Sequence, residues 1–161
     1  MKILVMSDSH GKHQYVLDAI YENKDADAVI HLGDGVRDFD EAVKEARELG
    51  VLNTDKIYKV KGNCDMFLDE AVTLFENIGG HRFYITHGYE QRVKSGVEYL
   101  LKDAKENNRD VALYGHTHSR FYDERLGVHI FNPGALNYGD YGVITIDDIT
   151  GALTFEHREL R

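Results

Sequence analysis

The chain has one cysteine and one proline in 161 residues, and each scarcity removes a class of answers. A lone Cys64 cannot close an internal disulfide and fits a reducing compartment, so a cytoplasmic location is expected. Positive charge is also in short supply. The formal net charge of −9 argues against a non-specific grip on nucleic acid or on an anionic membrane. A small anionic substrate stays open, provided a local positive centre exists. No apolar run approaches the roughly 20 residues of a transmembrane helix. The opening run, Ile3 to Met6, is shorter than a signal-peptide core of about 7–15 residues. No linker, repeat or low-complexity segment interrupts the chain. A single domain over 1–161 is therefore expected, able to bury roughly 68–70% of its unfolded surface. Against this ordinary background stand nine histidines, and their placement is the main question.

The stretch Lys2 to Gly11 sets the pattern: a short apolar run closed by Ser7-Asp8-Ser9-His10-Gly11. Such a run suits a strand buried on both faces, with its polar residues just beyond the carboxyl end, where ligands of α/β sheets bind. In an extended chain Asp8 and His10 point the same way and could share a metal. Taken alone, the stretch reads equally well as a helix-capping Ser or Asp beside a surface histidine. Val16, Leu17, Ile20 and Tyr21 then predict a helix over 12–23. Asp27 to Leu32 predicts a second strand, ending in Gly33-Asp34-Gly35. A second helix follows, with Asp38 and Glu41 spaced as a capping box and Phe39, Ala42, Val43, Ala46 and Leu49 as its stripe. Ile57 to Val60 predicts a third strand running into Lys61-Gly62-Asn63-Cys64-Asp65. This is a doubly wound βαβ order.

The second half changes character. Ala71 to Ile78 and His81 to Thr86 form a hairpin about Gly79-Gly80. A helix is expected over 91–107, and Val111 to Tyr114 is a strand delivering Gly115-His116-Thr117-His118. Short strands follow at about 119–125, 128–131, 141–147 and 152–157. The pattern predicts an α/β protein of two packed sheets with helices outside and mixed strand directions toward the C-terminus.

Five polar clusters sit at predicted strand ends, with glycines where tight turns would be needed: Asp8-x-His10, Gly33-Asp34, Gly62-Asn63-Cys64-Asp65, His87-Gly88 and Gly115-His116-x-His118. Their mixed oxygen and nitrogen donors differ from the cysteine-rich closed shell of structural zinc. They suit a catalytic centre with open positions. Seven donors (Asp8, His10, Asp34, Asn63, His87, His116 and His118) are too many for one ion and about right for two that share a bridge.

In that order the motifs resemble those of the calcineurin-like metallophosphoesterase superfamily, D-x-H, G-D, G-N-[HC]-[DE], H-G and G-H-x-H, and most closely its small phosphodiesterases of the YfcE/MJ0936 type. Each motif is weak alone; all five in order, with Asn132-Pro133-Gly134 matching the family's N-P-G turn, cover nearly the whole chain. The resemblance implies a four-layer α/β/β/α sandwich of two mixed sheets. It implies two divalent ions, Mn²⁺ first with Ni²⁺, Mg²⁺, Zn²⁺ or Fe²⁺ as alternatives. Asp8, His10 and His118 would hold one ion, and Asn63, His87 and His116 the other, with Asp34 bridging. Asp34, Asn63 and His87 would be the catalytic positions. Two divalent ions, two carboxylates and a bridging hydroxide leave about one net positive charge, a local trap for an anion. Such a pair lowers the pKa of water from about 15.7 to about 7 and can direct hydroxide at phosphorus. Asn63 can offer its oxygen to metal and its NH₂ to phosphate.

Two departures matter. Many relatives carry histidine where Cys64 stands, and a thiol is a weak donor without an imidazolium's charge. That puts protonation of poor leaving groups in doubt. Tyr89 occupies a place where many relatives have a second histidine. Asn63, Arg37 and Cys64 are the expected substrate contacts, and Asp65 is expected to anchor the Asn63 loop. His31 reads as a hydrogen-bonded core residue. His81, His129 and His157 read as packing or surface groups, and His13 and Lys12 as helix-surface groups that could reach a phosphate. The expected activity is hydrolysis of a small phosphodiester or nucleotide-like substrate. The alternatives are a phosphomonoesterase or nucleotide phosphatase of the same fold, or a scaffold resembling the small retromer subunit. No membrane partner is expected, and the resemblance leaves a homo-oligomer open.

Overall fold

The computed structural model describes all 161 residues. Its first half runs β1 (Lys2–Met6), α1 (His13–Glu22), β2 (Ala28–His31), α2 (Val36–Glu48) and β3 (Ile57–Lys59). The second half runs β4 (Thr73–Ile78), β5 (His81–Thr86), α3 (Glu98–Glu106), β6 (Val111–Leu113), β7 (Phe121–Arg125), β8 (Val128–Asn132), β9 (Asp140–Ile146) and β10 (Leu153–Glu159). Two five-stranded sheets result, in the orders β10-β9-β1-β2-β3 and β4-β5-β6-β8-β7. In the first, β1, β2 and β3 are parallel, β9 runs antiparallel to β1, and β10 antiparallel to β9. In the second, β5, β6 and β8 are parallel, with antiparallel β4 and β7 at the edges.

Period-two alternation sorts β1 between two cores. Ile3 and Val5 face the second sheet and pack with Phe83, Ile85 and Phe131. Leu4 and Met6 face α1 and α2, among Leu17, Ile20 and Phe39. Both faces are covered, which is why the run carries no polar residue. On the far side, Leu100 and Ala104 of α3 cover Tyr84, Ala112 and Ile130 of the second sheet. The layers are therefore helix, sheet, sheet, helix. No helix is long and apolar enough to cross a membrane.

Local chemistry explains where the elements turn, and two boundaries differ from the sequence expectation. Ile78 pairs directly with His81 across Gly79 and Gly80, whose φ values of +58° and +84° are those of a primed hairpin turn. The helix expected from residue 91 begins only at Glu98, after a separate 3₁₀ turn at Val93–Ser95. Gly96, at φ +123°, breaks the helical path between them. The expected Asp38/Glu41 capping box does not form, because Gly35 is the residue before the helix and Asp38 lies inside its first turn. Asp65 supplies the cap instead, from another loop: its carboxylate accepts the N–H groups of Asp34, Gly35 and Val36.

Candidate metal centre

The loops after β1, β2, β3, β5 and β6 converge at one rim. Asp8, His10, Asp34, His116 and His118 all have φ between +43° and +66°, the left-handed region that non-glycine residues avoid. Residues held there by their surroundings concentrate at functional sites. Asp8 and His10 thus reach one point through two left-handed residues rather than by the alternation of an extended strand. Two motif glycines have a different cause from the turn geometry expected. A Cβ on Gly62 would overlap the Asp34 carboxylate, and one on Gly115 would overlap Ser7 Oγ. Glycine is required there for close approach of neighbouring loops.

The donors gather in three groups: Asp8, His10 and His118; Asp34, His87 and His116; and His10, Asp34 and Cys64, which links the other two. Asp8 Oδ1 lies 3.1 Å from His118 Nε2 and 3.6 Å from His10 Nε2, and the two imidazole nitrogens are 3.2 Å apart. Asp34, His87 and His116 form a second cluster. Asp34 Oδ2 stands 3.3 Å from His87 Nε2 and 3.8 Å from His10 Nε2, so it faces both groups. His87 Nδ1 lies 2.7 Å from the Leu32 carbonyl. A carbonyl only accepts, so Nδ1 carries the hydrogen and the lone pair of a neutral ring points from Nε2 at the Asp34 carboxylate. Asp8 Oδ1, Asn63 Oδ1 and His87 Nε2 are buried with no hydrogen-bond partner. Acceptors aimed at one another in a buried space are satisfied by a shared proton or by a cation between them. This donor set fits divalent metal.

The same shortage of positive charge appears in the titration of the pair. Burial works against ionised Asp34, yet the His87 ring and the Cys64 N–H hold its carboxyl below the ordinary range. Burial likewise disfavours charged His87, but Asp34 and Asp8 together raise its pKa. His116 is lowered, by burial first and then by His87 and Lys94.

Behind the donors the chain is tightly wired. Asp8 Oδ2 accepts from Ser7 Oγ at 2.6 Å and from His116 N at 3.1 Å, and Asp34 Oδ1 accepts from Cys64 N at 2.8 Å. Asp65 takes the Gly62 N–H as well as three from the Asp34 loop and α2, so it anchors two loops where one was expected. His31 is fully buried and bonded, as its sequence position suggested. Its Nδ1 accepts from Gly33 N at 3.1 Å, which leaves Nε2 to donate to Ser9 Oγ at 3.3 Å. Ser9 in turn donates to Asp38 at 2.9 Å. Burial pushes the His31 pKa down to about 4 and keeps the ring neutral.

The remaining residues sort as follows. Arg37 and Cys64 line one groove with His10 and Asp34. The Cys64 thiol is raised, first by burial and then by Asp34, which disfavours the thiolate a nucleophile needs. His13 turns away from the rim to Glu45 at 2.8 Å. Lys12 sits against the Tyr15 ring. His81 meets the Gly151 carbonyl, His129 the Tyr122 hydroxyl and His157 the Asn132 carbonyl. Tyr89 stands edge-on to His116, with ring centroids 5.5 Å apart. Sequence reasoning missed Ser7, the Ser9–Asp38 link, and the apolar rim residues Met66, Phe67 and Tyr138. Only Ser7 and Ser9 carried a signal, as the polar neighbours that alternate with Asp8 and His10.

Comparison with known proteins identifies the family. A phosphodiesterase of Methanocaldococcus jannaschii, MJ0936, is 31% identical over the whole chain and 97% of its own length. The Escherichia coli phosphodiesterase YfcE is 29% identical, covering 91% of this chain and 89% of its own. A crystal structure of Vps29 complexed with zinc, from Entamoeba histolytica, covers both chains fully with a TM-score of 0.74. At 21% identity that likeness concerns the fold alone. The family model for the calcineurin-like phosphoesterase superfamily domain matches residues 1–147. The chain belongs to the calcineurin-like phosphoesterase superfamily.

Proposed function

We propose that the protein is a phosphodiesterase that works with two divalent ions. Asp8, His10 and His118 would hold one ion, Asn63, His87 and His116 the other, and Asp34 would serve both. Two such ions supply positive charge for phosphate oxygens and a source of hydroxide at neutral pH. The observation that carries the reading is Asp34 Oδ2, set 3.3 Å from His87 Nε2 and 3.8 Å from His10 Nε2. The relatives named as phosphodiesterases support the diester over the monoester. The complete donor set supports an enzyme over a scaffold of the retromer type. Mn²⁺ is the first choice and Ni²⁺ the second: the carboxylate and amide oxygens suit Mn²⁺, while the four imidazoles also accept Ni²⁺, Zn²⁺ or Fe²⁺. The single Cys64 supports a cytoplasmic setting.

The chain's own groups divide the remaining work. The Leu32 carbonyl fixes the His87 ring, so its Nε2 is aimed and its Nδ1 proton is already engaged. His87 therefore orients rather than donates. The Asn63 NH₂, now 3.8 Å from Cys64 Sγ, can turn to a phosphate oxygen. Arg37 makes no ion pair within the chain and borders the same groove as Asp34, so its guanidinium is free for the phosphate. Cys64, beside Asn63, is a weak proton donor, so activated esters are the expected substrates. Metal-loaded protein should hydrolyse bis(p-nitrophenyl) phosphate faster than p-nitrophenyl phosphate, with activity lost to chelator and restored by Mn²⁺. Metal-loaded protein inert toward the diester, or an Asp34→Asn variant equal to wild type, would refute the reading.

A further inference from the structure

The Asn132-Pro133-Gly134 turn contributes no donor to the metal centre, yet it joins the two loops that carry Asp8 and His118. Asn132 is fully buried at the end of β8. Its Nδ2 donates to the Gly115 carbonyl and to Thr117 Oγ1, each at 3.0 Å. The amide is itself held at both ends: Oδ1 accepts from Gly134 N at 2.9 Å, and the Asn132 carbonyl accepts from His157 Nε2 at 2.8 Å. Pro133 fixes its own φ, and Gly134, at φ +89°, lies so close to Asp140 that a Cβ would overlap it. A few residues on, the same segment grips the Asp8 loop. Leu136 N donates to the Ser7 carbonyl at 2.8 Å, and Asn137 N to the Asp8 carbonyl at 3.1 Å. The turn is a clip between the two loops.

The two histidines of the Gly115–His118 loop are held unequally. Gly115 N donates to the His87 carbonyl at 3.0 Å and His116 N to Asp8 Oδ2 at 3.1 Å, so His116 stands between two pins that do not involve Asn132. The His118 backbone makes no hydrogen bond. Its ring meets His10, Asp8 and the edge of Tyr138. The place of His118 therefore depends on Thr117, and Thr117 hangs on Asn132.

From these contacts we infer that Asn132 is a positioning residue for one ion of the pair, the ion assigned to Asp8, His10 and His118. The inference rests on the two-ion reading above. Asp8 and His118 come from opposite ends of the chain, and the clip sets them against each other at 3.1 Å. Outer partners of this kind orient the ligands themselves, and losing one commonly lowers metal affinity about 10–100-fold. The other ion does not depend on this amide. Its His87 is fixed by the Leu32 carbonyl, and its His116 keeps the two pins on Gly115 N and on its own N–H. The two positions are therefore built unequally, one from loops bonded directly to each other and the other through a single buried amide.

The test is a calorimetric titration of the metal-free full chain with Mn²⁺, with bound metal counted by elemental analysis. Two backgrounds isolate the sites: Asn63→Ala keeps the Asp8 site, and His10→Ala keeps the His87 site. Asn132→Ala should raise the Mn²⁺ Kd about 10–100-fold in the Asn63→Ala background and by less than about twofold in the His10→Ala background. Thr117→Val removes one of the two acceptors at a half-buried position and leaves the Asn132 turn intact. It should show the same selectivity at a few-fold, and it keeps the inference open to refutation if Asn132→Ala fails to fold. A residue that only supported the fold would weaken both sites alike. Equal weakening of the two sites, or an Asp8 site unmoved by Thr117→Val and by folded Asn132→Ala, overturns the inference while the two-ion reading stands. Fewer than two Mn²⁺ bound per wild-type chain at saturation overturns both.

Discussion

The two sheets meet at one rim but hold their ends differently. The first supplies both carboxylates, and the chain pins each one: Ser7 Oγ and His116 N on Asp8, Cys64 N on Asp34. Asp65 and the His31–Ser9–Asp38 link brace the loops that carry them. The second sheet supplies only imidazoles at His87, His116 and His118. Of these only His87 has its far nitrogen fixed, by the carbonyl of Leu32 at the end of the first sheet. One side is a wired acidic floor and the other a wall of rings held by contact. Substitutions in the floor should cost stability as well as function. Substitutions in the wall should cost function with little loss of stability.

The largest effect is expected at Asp34, the residue that faces both donor groups. Asp34→Asn keeps the shape but removes the charge, and kcat/KM for an aryl diester should fall on the order of a thousandfold, about 4 kcal/mol of transition-state stabilisation. Steady-state rates at saturating Mn²⁺ measure it. A loss under tenfold would mean that the two groups do not act through a shared carboxylate.

The floor also predicts a pH dependence of stability. His31 has a folded pKa of about 4 against an ordinary 6.5. Its contribution is therefore fully present above pH 6.5 and is lost as pH falls toward 4, because the unfolded chain binds the proton first. The shift corresponds to about 3 kcal/mol over that window. Denaturant midpoints of metal-free protein should drop between pH 6.5 and 4.5, and the drop should be much smaller in His31→Gln. An NMR titration should show the His31 ring unprotonated at pH 5.5.

Asp65→Ala comes next. It strips acceptors from four backbone N–H groups at the start of α2 and in the Asn63 loop. A lost cap together with unsatisfied buried donors costs about 2–3 kcal/mol. Urea unfolding of the metal-free variant measures it. If Asp65→Ala matched wild type, the loops would be held by something other than this carboxylate.

Much of the floor and wall was legible in the sequence, and what was not has a physical reason. The apolar runs of β1 and β2 and the polar clusters after them announced buried strands with donors at their ends, since both are local patterns. The grouping of Asp8 with His118, across the whole chain, was read from family resemblance; the fold sets the two 3.1 Å apart. Spacing alone could not give it. The helix boundary at Glu98 was misread because Val93 and Val97 keep helical spacing through a glycine that leaves the helical path. Asp38 and Asp65 exchanged roles for a similar reason: a capping box is a local signal, whereas the acceptor that wins comes from a loop beyond β3. The apolar rim gave no signal, because exposed Phe67 and Tyr89 resemble core residues until the fold leaves them outside.

The smallest expected change is the stability of His116→Ala, and it bears most directly on the contrast between the sheets. The His116 side chain has no hydrogen bond. It packs edge-on to His87 and Tyr89, at 5.0 and 5.5 Å between ring centroids. Losing such contacts from a half-buried ring costs under about 1 kcal/mol. Metal-free His116→Ala should therefore unfold close to wild type, while its Mn²⁺ content and diesterase activity fall. Its backbone N–H to Asp8 survives the substitution, so the floor stays in place. If metal-free His116→Ala lost as much stability as Asp65→Ala, the rings would be structural supports, and the division between a braced floor and a functional wall would not hold.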